Sequence, residues 1–112
     1  MQYKPEVRTE GACQQLLDAL AVADETHKQL FGMEATVTSM LDGKHNPGSL
    51  HPKGRAADLR TKDLSPAQLE QWVKRLKAVL THDFDIVAEG YKGFTPATTG
   101  AHLHIEYDPK GK

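Results

Sequence analysis

The sequence holds one cysteine, one tryptophan and no long apolar run. With Cys13 alone there is no intramolecular disulfide to staple the chain, and a thiolate zinc knuckle, which needs paired cysteines, is excluded. Any metal must be held by histidine and carboxylate. No apolar stretch approaches the ~20 residues that span a bilayer. The opening residues MQYKPEVRTE are polar and charged, unlike the apolar core of a secretion signal. Synthesis in the cytoplasm without a signal peptide is therefore expected. Neither charge dominates: 14 Lys and Arg stand against 15 Asp and Glu, a formal net charge of -1. Scattered in this way, they make no broad cationic field for nucleic acid and no polybasic run for anionic lipid. Specificity has to come from a local site.

What is present suffices for one core. A chain of 112 residues with 38% hydrophobic content fits a single compact domain spanning 1–112, expected as a monomer. From about Glu10 to Phe31, Leu16, Leu17, Leu20, Ala23, His27 and Leu30 recur at helical spacing, and Gly32 ends the run. Glu34 to Leu41 reads as a strand. The segment DGKHNPGSLHPKG that follows is too rich in turn formers for regular structure, and functional residues concentrate on such loops.

A second helix has a well-marked start. Ser65 suits the N-cap, Pro66 the first helical position and Gln68 a capping box, with Leu64 and Leu69 placed for a hydrophobic staple. Leu69, Trp72, Val73, Leu76, Val79 and Leu80 form its predicted core stripe. Ala56 to Arg60, Phe84 to Glu89 and Ala101 to Tyr107 read as strands, the last two separated by the loop YKGFTPATTG. The order predicts an α+β fold, a small and mostly antiparallel sheet with helices packed on one face.

Three of the six histidines fall in two short segments, SLHPKGRAAD and AHLHIEY. In a strand, alternate side chains share a face, so His102, His104 and Glu106 line one side, while Ala101, Leu103, Ile105 and Tyr107 line the other. Two imidazoles on one face can lean toward one metal. In the first segment a turn at Pro52, Lys53 and Gly54 folds His51 back toward Asp58. Neutral imidazoles with one carboxylate suit zinc, and three protein ligands leave a fourth tetrahedral position for water. Elsewhere, His27 lies on the first helix's apolar stripe and reads as structural, as does His82 just past the second. No motif claims His45. Cys13 reads as a small core hydrophobe.

These segments resemble the zinc peptidases that include D-alanyl-D-alanine carboxypeptidases and dipeptidases and phage L-alanyl-D-glutamate endopeptidases. That family shares its fold with lysostaphin-like peptidases and the hedgehog signalling domain. Ser49, His51, Gly54, Ala56 and Asp58 match the first family pattern at every position, and His102 with His104 matches the second, histidine-any-histidine. The match covers roughly Val37 to Tyr107. The resemblance implies a hedgehog or D-Ala-D-Ala peptidase-like fold, one Zn2+ ion held by His51, Asp58 and His104, and a substrate contact at Ser49. The Ser49 hydroxyl would alternatively serve its own turn. Arg55 and Lys53 read as solvated, or as contacts for a peptide-stem carboxylate.

One departure bears on the base. Many members carry a glutamate three residues before the last zinc ligand, where this chain has Ala101. His102 is then the first candidate for general base or transition-state stabiliser, since an unperturbed imidazole titrates at ~6.5, and Glu89 is the second. The implied function is a metallopeptidase hydrolysing peptidoglycan stem peptides, acting in the periplasm or cell wall. A non-catalytic, zinc-containing binding module of the same fold is the rival reading.

Overall fold

The computed structural model describes residues 1–5, 7–40, 55–89 and 102–109. In chain order the elements are β1 (Gln2–Tyr3), α1 (Gln14–Phe31), β2 (Thr36–Ser39), β3 (Ala56–Arg60), α2 (Pro66–Val79), β4 (Phe84–Glu89) and β5 (His102–Tyr107). The strands form one mixed sheet in the order β1-β2-β3-β5-β4. Its β2·β3, β3·β5 and β4·β5 pairs are antiparallel, and only the β1·β2 edge pair is parallel. The fold is α+β, with the predicted mostly antiparallel sheet.

Local chemistry explains where most elements begin and end. Ser65 accepts from the Gln68 N–H at 3.2 Å while the Gln68 side chain accepts from the Ser65 N–H at 2.9 Å, completing the capping box ahead of Pro66. Gly32 closes α1 in the left-handed conformation (φ 74°), its N–H donating to the Lys28 carbonyl at 2.8 Å. At its other end α1 begins at Gln14, four residues later than the apolar spacing suggests. Gly11 has φ 84°, which no right-handed helix can continue through. Likewise β2 starts at Thr36 and not Glu34, because the Ala35 N–H is taken by the Asp24 carboxylate at 2.9 Å. With only two residues, β1 has no alternation to read. It is held by bonds from Gln2 N–H to the Ala35 carbonyl and from Lys4 N–H to the Val37 carbonyl, both 2.9 Å.

The buried side of the sheet carries Val37, Ala57, Leu59, Ile86, Ala88, Leu103 and Ile105, which join Leu16, Leu20, Leu69, Trp72 and Leu76 of the helices in one cluster. Trp72 is the largest fully buried side chain. Its Nε1–H donates to the Ala23 carbonyl (3.2 Å) and the Thr26 hydroxyl (3.1 Å), pinning α2 to α1 without leaving a buried donor unmet. His27 is buried as structural scaffold. Its Nδ1–H donates to the Met33 carbonyl at 2.6 Å and its ring meets Phe31 and Trp72 edge-on. His82 is exposed. Cys13 is half-buried at the N-cap of α1, packed against the core. Leu64 and Leu69, the proposed staple pair, are both buried. Val79 departs from the predicted stripe: it is 52% exposed, because it ends α2 after Leu76 has made the last buried contact. Among the described residues, no helix is long and apolar enough to cross a membrane.

Candidate metal centre

The other side of the same strands holds the polar residues, and strand register decides which of them meet. Across β3·β5, Asp58 lies directly opposite His104, Arg60 opposite His102 and Ala56 opposite Glu106. Across β4·β5, Val87 lies opposite His104, Glu89 opposite His102 and Asp85 opposite Glu106. Directly opposed residues share a face. Asp58, His102, His104 and Glu106 are thus brought together by two neighbouring strands, β3 and β5, whose alternate residues, Leu59, Leu103 and Ile105, are locked into the core.

The contacts are short. His104 Nδ1 is 2.9 Å from Asp58 Oδ1 and its Nε2 is 2.7 Å from Glu106 Oε1. His102 Nε2 is 3.5 Å from the same Asp58 oxygen. The side chains of His102, His104 and Asp58 are only 14%, 14% and 16% exposed, so water screens these charges weakly. Burial by itself disfavours a charged imidazole at His104, but hydrogen bonds to Asp58 and Glu106, with their negative charges, outweigh it and raise the group to about 9. Each ring nitrogen of His104 faces a carboxylate oxygen, an arrangement that favours the imidazolium.

A bulge sits beside Asp58. From Val37 to Ser39 strand β2 advances two residues while β3 advances one, from Leu59 to Asp58. The extra residue, Thr38, turns its hydroxyl to the Asp58 carbonyl at 3.3 Å. Bulges bend a strand locally and re-aim side chains next to functional sites, and here the bulged strand, β2, is paired with the one that carries the carboxylate.

Among the described residues, Asp58 and His104 set one carboxylate and one imidazole side by side, the donor types that a first-row divalent ion takes. At bond lengths of ~2.0–2.1 Å, neighbouring ligand atoms of a tetrahedral site lie about 3.3 Å apart. The 2.9 Å between Asp58 Oδ1 and His104 Nδ1 is close to that spacing. Imidazole with carboxylate is the chemistry that zinc accepts.

The remaining predicted site residues are placed differently. His51 and Ser49 lie outside the described residues, as do Ala101 and the turn at Pro52 to Gly54. Glu89 ends β4 at the register position across from His102, and its side chain is outside what is described. Arg55 is exposed, with its guanidinium 6.0 Å from the centre of the Tyr107 ring. By alternation it belongs with Ala57 and Leu59 and not with Asp58.

Two residues on this face had no role assigned from sequence. Glu106 fixes one nitrogen of His104, and the signal for it was the alternation of HLHIEY, which already put the carboxylate on the imidazoles' side. Arg60 sits opposite His102 and ion-pairs with Asp63 at 3.0 Å. Beyond Glu106, Asp85 and Asp108 bring further carboxylate oxygens within 4.8 Å of its own. That all-oxygen, half-buried group suits hard cations more than zinc, and such acidic groups are common on surfaces that hold no ion.

Comparison with known proteins gives no matching family model and no match among curated proteins.

Proposed function

We propose that this protein is a zinc metallopeptidase that hydrolyses a peptide bond in bacterial peptidoglycan stem peptides, on a hedgehog or D-Ala-D-Ala peptidase-like domain. The observation that carries the reading is the convergence of His104 Nδ1 and His102 Nε2 on one oxygen of Asp58. These are the described polar members of the two motif segments, which are distant in sequence. Asp58 and His104 would hold the ion together with His51, and His102 stands beside them. The substrate class rests on the resemblance of Ser49 to Asp58 and His102 to His104 to the peptidase motifs.

A zinc ion in this place supplies Lewis acidity, bringing the pKa of a water to ~7 and polarising the carbonyl under attack. The protein's own groups do the rest. Asp58 and His104 hold their donor atoms in a fixed mutual orientation set by the β3·β5 register, so little reorganisation is needed on binding. His102, through Nε2, takes the proton of the attacking water or, when protonated, donates to the developing oxyanion. Its low exposure keeps bulk water from competing for that nitrogen. Glu89, at the position across from His102, is the second candidate for the proton acceptor.

The test pairs metal content with bond cleavage. Wild-type protein should bind zinc at one ion per chain and release new amine termini from purified peptidoglycan, detected by mass spectrometry, and His104→Ala should lose both. Stoichiometric zinc without new termini would favour the non-catalytic binding module, for which the alanine at position 101 is the specific argument. Full cleavage by metal-free His104→Ala would remove the proposal altogether.

A further inference from the structure

The two imidazoles approach Asp58 by different atoms: His102 through Nε2, His104 through Nδ1. What distinguishes His104 is Glu106, two residues along the same strand and on the same face, whose Oε1 lies 2.7 Å from Nε2. We propose that Glu106 is the positioning residue of the metal centre: by accepting the Nε2–H of His104 it fixes the imidazole so that Nδ1 is the nitrogen offered to zinc. This inference rests on the zinc-site reading above and assigns a carboxylate that neither peptidase motif claims.

Several observations support it independently of the motifs. Glu106 is mostly buried, with its side chain 24% exposed, so its carboxylate has given up much of its water. It does so among like charges, with Asp85 directly across the β4·β5 ladder and Asp108 two residues on. A carboxylate held half-buried beside two others needs a strong compensating donor. Among the described residues, His104 Nε2 is the hydrogen-bond partner Glu106 has. On the β3 side its cross-strand neighbour is Ala56, whose methyl group offers no competing donor. An imidazole with one nitrogen fixed by a carboxylate has its ring plane set before a metal arrives, and the Nε2–H is the one kept when a metal takes the place of the Nδ1 proton, which is how outer-shell carboxylates act on ligating histidines. The chain Asp58–His104–Glu106 therefore runs from one strand to the next and along it, with His104 turned as a ligand through Nδ1.

Three forms of the full chain decide the matter: wild type, Glu106→Gln and Glu106→Ala. Zinc affinity is read by competition with a chromophoric chelator. The ligating nitrogen is read from long-range 1H–15N imidazole spectra of the zinc-loaded protein. Wild type should show His104 protonated at Nε2 and metal-bound at Nδ1. Glu106→Gln, whose amide oxygen still accepts that N–H, should bind zinc within a few-fold of wild type. Glu106→Ala should bind about 10- to 100-fold more weakly, as loss of an outer-shell partner does.

Wild-type spectra showing His104 bound through Nε2 would overturn the assignment even if neither variant folded. So would a Glu106→Ala protein with unchanged affinity, or a Gln variant as weak as the Ala variant, which would make Glu106 a charge and not a positioner. Wild type taking up no zinc would instead bring down the zinc-site reading itself, and this assignment with it.

Discussion

Asp58 and His104 are direct partners across two antiparallel strands, their Oδ1 and Nδ1 atoms 2.9 Å apart. Removing the carboxylate takes away a proposed ligand and leaves the imidazole without an anionic partner at Nδ1. Asp58→Ala should weaken zinc binding by more than the about 100-fold that marks the upper end for outer-shell partners. Isothermal titration with zinc checks this. An affinity within tenfold of wild type would show that Asp58 is not a ligand.

His102 is assigned to proton transfer and not to metal holding, so its substitution should separate the two. His102→Ala should keep stoichiometric zinc and lose about 10²- to 10⁴-fold in the rate of peptide release, the range of general acid–base contributions. The measurement is zinc content by atomic absorption beside the cleavage rate on purified muropeptides. Zinc lost in parallel with activity would reassign His102 as a ligand.

The legibility of the site and of the fold differed for physical reasons. His102, His104 and Glu106 were readable as one face because strand alternation is a local property, and Asp58 could be named from the motif alone. That Asp58 stands opposite His104 depends on pairing between strands far apart in sequence, which alternation does not determine. The start of α2 was fully legible, since Ser65, Pro66 and Gln68 act within one turn. The start of α1 was placed too early: apolar spacing continued through residues that Gly11, in a left-handed conformation, keeps out of the helix. Strand β1 was missed because two residues carry no period. Arg55 shows only its charge in the sequence; that it shares the side of Tyr107 follows from the Tyr107 N–H bond to its carbonyl and the guanidinium near the ring.

Ser65 gives a stability prediction that leaves the Asp58–His104 site untouched. Ser65→Ala removes the acceptor for the Gln68 N–H and should cost about 1 kcal/mol. Urea unfolding would show a lower midpoint at unchanged slope. No shift would mean that the Gln68 side of the box carries the helix start.

Trp72 joins the helices through both its volume and its Nε1–H. Trp72→Phe keeps an aromatic ring but leaves the Thr26 hydroxyl and Ala23 carbonyl without that donor and part of the space unfilled, for a loss of about 1 to 3 kcal/mol. Because His27 also rests edge-on against this ring, the imidazole signals of His27 should shift in the variant. Unchanged stability and unchanged His27 signals would contradict the packing described.

Asp24 sets an acid limit. Burial alone would raise its carboxyl, but the Ala35 N–H, Lys28 and the Met1 amine outweigh burial and hold it below the usual carboxylate value. A depressed folded-state value means that its stabilisation is present above the unfolded value near 3.9 and is lost as pH falls through the folded one. Wild-type stability should therefore drop more steeply below about pH 4 than that of Asp24→Asn, which has no such group to titrate. Parallel stability curves for the two proteins in that range would refute it.

The alternation of β5 has a consequence for how the protein guards its own chemistry. A slip of one residue against β3 would carry His102, His104 and Glu106 into the helix-packed layer and expel Leu103 and Ile105 into water. The penalty for misaligning the polar row is therefore exacted by residues with no reactive atom. Fidelity of the imidazole–carboxylate pairing is proofread by aliphatic side chains, so substitutions that erode Leu59, Leu103 or Ile105 should loosen that pairing before they unfold the domain.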